Sequence, residues 1–447
     1  MLGIRPLVRM AVPGLCGAKG RIFQQACSGR RASTWLQDVA EASDRSGKLP
    51  LSGRIHILGI GNVGTFIGHS LASRPSPPPV TLMLHYDQMY LSWLHNKERL
   101  IVDNDALNDA KTGFDVEVRD AGDWRSVPSW DNEEEKLNVH ERMARFPDNP
   151  LETGIIECLI ISVKAPITVA ALKSVCHRLT PNSTILFLQN GMGVIDEINR
   201  DIFPDPTQRP HYMLGISSHA LAQLGSRYFQ VRQSGMGTLI LGSLLPQAPE
   251  TRPSNDQDLD WAPSTKYLLR TLTLTPPLAA VAETPSSIML YQLEKLAMNC
   301  VINPLTALMG CLNGNLLNNS STTRLIRLLL LEVSSVICSL PELQGIPGIE
   351  SRFSPERLHW MVTQLAQTTA KNRSSMFHDV RHGRTTEIEY LNGYIARRGE
   401  ELGIKCVVNY TIQHLVIAKQ LNFKLGESAA IPFDLGEEVE DKTHQKY

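Results

Sequence analysis

The N-terminal half of the chain alternates short apolar runs with amphipathic stretches, a pattern that predicts strands and helices in turn. Residues 53 to 60 (GRIHILGI) lead β-branched and apolar side chains into a glycine turn, which is typical of a strand. The following TFIGHSLAS spaces its apolar residues as a helix does, and VTLML at 80 to 84 is a second apolar run. Strand, helix and strand in this order predict a βαβ unit, and therefore a parallel sheet with right-handed crossovers.

Further apolar runs extend this α/β domain over residues 53 to 243. CLIISV at 158 to 163 and TILFLQ at 184 to 189 predict strands separated by a helix, and GISSHAL and GTLILG predict two more short strands. Between 103 and 152 the periodicity fades, and DNEEEK is a solvated charge run. That stretch is predicted as an inserted surface loop with two short strands at most.

Beyond a polar, proline-rich linker at 244 to 264, the pattern becomes helical from 265 to 421. A tail at 422 to 447 is glutamate-rich near its end and is predicted to be disordered. The longest apolar helix candidate, RLIRLLLLEVSSVICSL, is interrupted by Arg327 and Glu332 and is shorter than the roughly 20 apolar residues that span a bilayer. We therefore expect no membrane span.

Composition adds two constraints to this domain plan. The chain has 447 residues with 42% hydrophobic and 20% charged side chains, which is an ordinary balance for two or three globular domains. Its eight cysteines show no CxxC or Cys/His spacing, which argues against a zinc site and against a disulfide framework. We expect no metal and a reducing compartment.

The first 35 residues have a composition of their own. They hold six basic side chains and no acidic one, with serine and alanine between them, as in a mitochondrial transit peptide. The alternative is a disordered basic leader that carries no address. Subtracting those six cations from the formal net charge of −1 leaves −7, and an acidic mature chain disfavours nucleic-acid binding.

The oligomeric state stays open, with a homodimer as one candidate.

The turn after the first predicted strand has the sequence GIGNVG, which matches GxGxxG between a strand and a helix. Gly59 permits the tight turn, Gly61 lets a pyrophosphate approach the backbone, and Gly64 allows close packing of helix on strand. The phosphates would then lie at the helix N-terminus, beside Asn62 and Val63. The motif predicts a bound dinucleotide.

The tip of the second strand should distinguish NAD from NADP, through an acid for a ribose hydroxyl or a cation for a 2′-phosphate. The sequence there is HYDQ, with His85 at the tip and Asp87 two residues later. These residues leave the choice between the two cofactors open.

An apolar stretch that begins EKLAMNCVINPL carries three polar residues at helical spacing. Lys295, Asn299 and Asn303 are at i, i+4 and i+8 and share one helix face. Burying such groups without partners would cost several kcal/mol in total, so we interpret them as directional groups that face a binding cleft. The alternative is an ordinary asparagine-rich helix face. Pro304 predicts that the helix kinks or stops at Asn303.

A second polar set lies near the end of a predicted helix that begins with the N-cap Ser354. Asn372, Ser375 and Asp379 are spaced i, i+3 and i+7, which places them on one face near its end. Farther along, TTEIE predicts a capping box with Glu387 in the first turn of a helix that runs to Gly403.

Together these segments resemble the ketopantoate reductase family, in the form of its fungal mitochondrial members. GIGNVG, SVKAP, QNGMG, KLAMNCVINPLTALMGCLNG and SSMFHDVRHGRTTEIEYLNGYIARRGEELG are similar to the family's motifs and occur in the family's order. The resemblance implies an N-terminal Rossmann dinucleotide-binding domain, an all-α C-terminal domain and an active site in the cleft between them. It also implies NADPH-dependent reduction of 2-dehydropantoate to (R)-pantoate.

The resemblance assigns a role to each matching residue. Lys295 resembles the catalytic lysine that protonates the nascent alkoxide, and Glu387 the glutamate that orients the site and touches the cofactor ribose. The implied substrate ligands are Asn299, Asn303, Asn313, Asn372 and Ser375. The implied cofactor ligands are Gly59, Gly61, Asn62, Val63, Gly64, His85, Lys164, Asn190 and Glu387.

One position departs from the family pattern. Family members often have an arginine where this chain has His85, and neutral histidine is a weaker phosphate ligand than guanidinium.

The implied partner is a small 2-oxo acid, which could differ from ketopantoate. A second alternative is a non-catalytic, reductase-like mitochondrial binding protein.

Overall fold

The computed structural model describes residues 51–104, 108–120, 122–127, 154–224, 228–244 and 261–427. The predicted leader, most of the predicted linker, much of the predicted insertion and the end of the tail lie outside these residues. The chain divides into two compact units, with the boundary after Lys295.

The strands of the first unit form two sheets. In chain order they are β1 (Ile55–Leu58), β2 (Val80–Leu84), β3 (Leu100–Asp103), β4 (Asn108–Lys111), β5 (Asp115–Asp120), β6 (Asp123–Val127), β7 (Cys158–Ile161), β8 (Thr184–Phe187), β9 (His211–Ser217), β10 (Ala220–Gln223), β11 (Gln230–Gly235), β12 (Leu239–Ser243) and β13 (Ala280–Ala282). One sheet has the order β13-β12-β9-β8-β7-β1-β2-β5-β6, and the other β10-β11-β3-β4.

The larger sheet contains the predicted Rossmann arrangement. Strands β5, β2, β1, β7, β8 and β9 are adjacent in that order, and every pairing among them is parallel. Their carboxyl ends therefore lie along one edge, which is where α/β sheets of this kind bind ligands. Strands β6 and β12 pair antiparallel at the two sides of this set.

Helices flank the strands of the first unit. They are α1 (Asn62–Ala72), α2 (Asp87–His95), α3 (Ala165–Lys173), α4 (Val194–Asp201), α5 (Pro263–Thr273) and the start of α6 (Pro285–Met309). Thr184 of β8 bonds to the hydroxyls of Ser264 and Thr265, so α5 belongs with the sheet. The boundary between the units thus falls later than residue 265, where the sequence predicted the helical domain to begin.

The stretch predicted as an inserted loop contains more strand than expected. It contributes β4, β5 and β6, three strands where two at most were predicted. In β5 the apolar Val116 and Val118 are buried on one face, while buried Glu117 occupies the other. The strand was not predicted because a glutamate in a strand is normally taken to face solvent, whereas Glu117 is buried.

Glu117 is buried in a bidentate ion pair. The Arg178 guanidinium donates to its two carboxylate oxygens at 2.7 and 2.9 Å, and both residues are at most 5% exposed. His56 lies beside them, with Nε2 at 3.8 Å from Glu117 Oε1. Burial and the charge of Arg178 lower the pKa of His56 to about 3, so this histidine is neutral at physiological pH.

The second unit is helical. After the end of α6 it contains α7 (Ser320–Cys338), α8 (Ile349–Arg352), α9 (Pro355–Thr368), α10 (Ser375–Arg381), α11 (Asn392–Glu401) and α12 (Val407–Glu427). Helix α12 continues six residues past residue 421, where the sequence predicted the domain to end. Within the described residues, no helix combines the length and apolarity needed to cross a membrane.

Helix α6 continues past Pro304 to Met309, so of the kink or stop predicted at Asn303 the stop does not occur. A proline has no N–H, which would leave the carbonyl of Cys300, four residues earlier, without its helical donor. The Asn392 side chain supplies the missing donor, with Nδ2 at 2.9 Å from that carbonyl oxygen. Asn392 is fully buried and also donates to Asn409 Oδ1 at 2.9 Å, which holds the amide in this orientation.

Candidate active site

The glycine turn joins β1 to α1 and is closed by atoms of the strand ends. Gly59 has φ +101°, and a Cβ built there would lie 2.5 Å from Val163 Cγ1. A Cβ at Gly64 would lie 2.1 Å from the carbonyl oxygen of Gly59. The Ser162 hydroxyl donates to that same oxygen. The first and third glycines therefore have the predicted roles of tight turn and close helix packing.

Gly61 differs from the other two glycines. Apart from its chain neighbours, no atom of the described residues would lie within 4 Å of a Cβ at this position, so packing among those residues does not require a glycine here. Gly61 caps α1 without any side-chain cap, which leaves the helix N-terminus at Asn62 and Val63 to the backbone alone. Open space at the glycine and uncapped N–H groups fit the pyrophosphate of a dinucleotide.

Two glycine substitutions separate folding from nucleotide binding. Gly64→Ala is expected to cost at least about 1–3 kcal/mol of unfolding free energy, because its Cβ collides with backbone. Gly61→Ala is expected to keep wild-type stability and to weaken nucleotide binding by about tenfold or more, equivalent to about 1.4 kcal/mol. Urea unfolding and nucleotide fluorescence titration measure the two effects. Wild-type stability in Gly64→Ala, or wild-type affinity in Gly61→Ala, would contradict the assignment.

His85 directly follows β2 at the predicted tip of the strand, and its side chain is exposed. Partial desolvation and the positive charge of Arg119 lower the pKa of His85 below its usual value. The imidazole is therefore neutral near pH 7 and can offer a hydrogen bond but no charge.

Lys164 and Asn190 follow β7 and β8, at the carboxyl edge of the sheet. Lys164 caps α3, where its carbonyl oxygen accepts the Ile167 N–H and the Thr168 hydroxyl, both at 3.1 Å. Asn190 is half-buried and stands just before Gly191, whose φ is +88°. Both residues, which the family resemblance implies as cofactor ligands, thus lie at the carboxyl edge of the sheet.

Lys295 is bound to this edge from α6. Its Nζ donates to the carbonyl oxygen of Ser217, the last residue of β9, at 3.1 Å, and the side chain is only partly exposed. One turn earlier, Gln292 Nε2 donates to the carbonyl oxygen of Gly191 at 3.3 Å. Two side chains of one helix thus bind the loop after β8 and the last residue of β9, and the ammonium is held beside the sheet edge that carries the glycine turn.

The second unit carries the predicted substrate residues. Asn299 is half-buried and Asn303 is 8% exposed, both within α6. Asn313 and Asn372 come together, since the Asn313 N–H donates to the Asn372 carbonyl oxygen at 3.0 Å. Asn313 Nδ2 donates to Thr369 Oγ1 at 2.9 Å, while its buried Oδ1 has no partner among the described groups. That oxygen can accept a hydrogen bond from a ligand.

Asn372 does not lie on a helix as predicted. Helix α9 ends at Thr368 and α10 begins at Ser375, so Asn372 lies in the loop between them, where it is exposed. Ser375 is also exposed, at the first position of α10. Its neighbour Ser374 is the N-cap, accepting from Phe377 N at 3.0 Å and from Thr306 Oγ1 at 2.7 Å.

Glu387 is 6% exposed and lies outside the following α-helix. It precedes a single turn of 3-10 helix at Ile388–Tyr390, and α11 begins only at Asn392. Neither element has a side-chain cap, so the predicted capping box is wrong. Leu391, with φ −108° and ψ −99°, breaks the backbone between the two elements. The carboxylate is therefore positioned by a tight turn.

Comparison with known proteins covers both units. The family model described as "Ketopantoate reductase PanE/ApbA" matches residues 55–246. The model described as "Ketopantoate reductase PanE/ApbA C terminal" matches residues 287–420. The 2-dehydropantoate 2-reductase of Salmonella typhimurium is 31% identical over 268 residues, covering 60% of this chain and 76% of the relative. The chain belongs to the ketopantoate reductase family.

Two further proteins agree with membership of the ketopantoate reductase family. The probable 2-dehydropantoate 2-reductase of Schizosaccharomyces pombe is 26% identical over 367 residues, covering 82% of this chain and 96% of the relative. A solved PanE/ApbA family ketopantoate reductase from Ralstonia eutropha JMP134 covers 83% of this chain and 99% of its own, with a TM-score of 0.58 at 18% identity. At that identity the structural match shows the shared fold.

Three residues that contact or adjoin predicted site residues within their own units were not identified from the sequence. Gln292 is three residues before Lys295, so helical spacing could have identified it as a neighbour on the same face. Ser374 precedes a helix, and serine is a preferred N-cap residue, so the sequence could have identified it as the start of that helix. Ser217 acts through its backbone carbonyl, and no side-chain pattern reports a backbone acceptor.

Proposed function

We propose that this protein is an NADPH-dependent 2-dehydropantoate 2-reductase that reduces the C2 ketone of ketopantoate to an alcohol. The observation that carries the proposal is the Lys295 ammonium, held at the carboxyl edge of the Rossmann sheet by the Ser217 carbonyl. The same edge begins with a glycine turn whose open middle position fits a dinucleotide. Relatives named 2-dehydropantoate 2-reductase support the choice of substrate.

Lys295 has the proposed role of general acid. When bound, reduced nicotinamide supplies a hydride to the ketone carbon. Negative charge then grows on the ketone oxygen, and a nearby ammonium stabilises that charge and donates the proton that completes the hydroxyl. The Ser217 carbonyl oxygen accepts a hydrogen bond from one of the ammonium's three N–H groups, and this bond orients Nζ.

The amide residues suit substrate binding for a related reason. Asn299, Asn303, Asn313 and Asn372 can donate and accept hydrogen bonds without adding negative charge that would oppose hydride arrival. We propose that these four residues and Ser375 bind the 2-oxo acid, and that Glu387 orients the reacting groups. The Oδ1 of Asn313, which is buried and has no hydrogen-bond partner in the described part of the chain, supports this role.

Absorbance of reduced nicotinamide tests the function directly. We expect purified protein to oxidise NADPH with ketopantoate, with kcat/KM at least about tenfold above that for 2-oxoisovalerate, which lacks the substrate hydroxymethyl group. Running NADH in parallel compares the two cofactors. A higher kcat/KM with 2-oxoisovalerate would assign another 2-oxo acid as substrate. Failure to oxidise either cofactor with any 2-oxo acid would favour a non-catalytic binding protein.

We also propose a mitochondrial location for the enzyme. The support is the basic leader, with six cations and no acid in the first 35 residues. A fluorescent protein fused behind residues 1 to 35 should enter mitochondria, while a fusion with its six basic residues changed to serine should stay outside. Equal distribution of the two fusions would contradict the proposal.

A further inference from the structure

The strand β5 brings an arginine beside the tip of β2, where the cofactor's ribose is expected. The two strands are parallel neighbours, with Leu84 paired to Val118. The next positions along the two strands are His85 and Arg119. Both side chains are exposed at the carboxyl edge of the sheet.

Contacts deeper in the sheet, extended by strand alternation to the residue after β2, indicate that the two side chains share one face. Arg54 bonds to Thr81 of β2 and to Asp115 of β5, so those two residues point to the same side. Side chains in a strand alternate with period two. Arg119 is four residues after Asp115 and His85 four residues after Thr81, so both return to that side.

The charge and position of Arg119 fit this neighbourhood. Its Nε donates to the carbonyl oxygen of Gly122 in the β5–β6 turn at 3.3 Å, which fixes the base of the guanidinium. Gly122 has φ +107°, a turn conformation that glycine adopts without strain. The positive charge of Arg119 also acts on His85, where it adds to desolvation in lowering the pKa of the imidazole.

We propose that Arg119 on β5, with His85 as a hydrogen-bond donor, forms the subsite for the 2′-phosphate of NADPH. A planar guanidinium can bind two phosphate oxygens at once, whereas a neutral imidazole contributes one hydrogen bond. The cation that the family pattern places at the β2 tip is thus supplied here by the adjacent strand. This assignment rests on the proposed function and makes Arg119 a determinant of cofactor specificity.

Direct binding tests the assignment without any turnover. Arg119→Gln is expected to weaken NADPH binding by about ten- to a hundredfold, the loss of a charged phosphate contact of about 1.5–3 kcal/mol. NADH binding should stay unchanged, because NADH has no 2′-phosphate. Arg119→Lys should recover part of the NADPH affinity. Nucleotide fluorescence and competition by 2′-phosphoadenosine nucleotides measure both cofactors on the same preparation.

The controls separate this assignment from the function itself. Arg200→Gln removes another exposed arginine, on α4, and should leave both affinities at the wild-type level. Unchanged NADPH affinity in Arg119→Gln, or equal loss of both nucleotides, would overturn the assignment while leaving the reductase proposal intact. Wild-type preference for NADH would do the same. Wild-type protein that bound neither nucleotide would overturn the proposed function and the subsite together.

Discussion

Replacing Lys295 by alanine is expected to lower kcat by about a hundred- to ten-thousandfold, the usual contribution of a positioned general acid. The ammonium bonds to the Ser217 carbonyl at the sheet edge, and no other side chain has been assigned the proton-donor role. Nucleotide affinity should change little, because the pyrophosphate is assigned to the glycine turn. Steady-state kinetics and nucleotide titration on the same variant measure the two effects.

Two companion variants make the Lys295 result interpretable. Lys173→Ala removes an exposed lysine from α3 and should keep wild-type kcat. Gln292→Ala leaves the ammonium in place and removes only the neighbouring bond to Gly191, so it should retain much more activity than Lys295→Ala. Wild-type turnover in Lys295→Ala would refute the assignment of this residue as the acid.

Arg178→Met is expected to lower the unfolding free energy by about 3–5 kcal/mol, the cost of leaving a buried carboxylate without its partner. Glu117 is 5% exposed and loses both guanidinium hydrogen bonds in this variant. Urea unfolding at pH 7 measures the effect.

A double variant tests the physical reason for that loss. Adding Glu117→Gln to Arg178→Met removes the stranded charge, so the double variant should be more stable than Arg178→Met alone. Arg200→Met, at a fully exposed position, should leave stability unchanged. If Arg178→Met lost less than about 1 kcal/mol, the ion pair would not have the importance that its burial indicates.

The sequence predicted the parallel sheet and the glycine turn well because both depend on local patterns. Continuous apolar strands and GxGxxG are short, and their meaning does not require knowledge of distant residues. The strand β5 was harder to predict, because its inward-facing Glu117 pairs with Arg178, 61 residues away. A buried charge with a distant partner looks like a surface residue in sequence.

The candidate site shows the same limit. The polar residues of α6 were identified from helical spacing, but the stop predicted at Pro304 did not occur. The Asn392 amide, 92 residues from Cys300, satisfies the carbonyl that the proline leaves open. Backbone hydrogen bonds that are completed by distant side chains cannot be inferred from local propensity. The position of Glu387 outside the helix was also not predictable. It depends on the backbone conformation of Leu391, and leucine is not a residue type that indicates such a conformation.

The small sheet β10-β11-β3-β4 has a consequence for synthesis of the chain. Strand β3 pairs with β4 nearby but also with β11, about 130 residues later. At about 5–20 residues per second, the ribosome takes on the order of ten seconds to deliver that second partner. During this interval the edge of β3 that later pairs with β11 has no partner strand, and an unpaired edge can pair with strands of other chains.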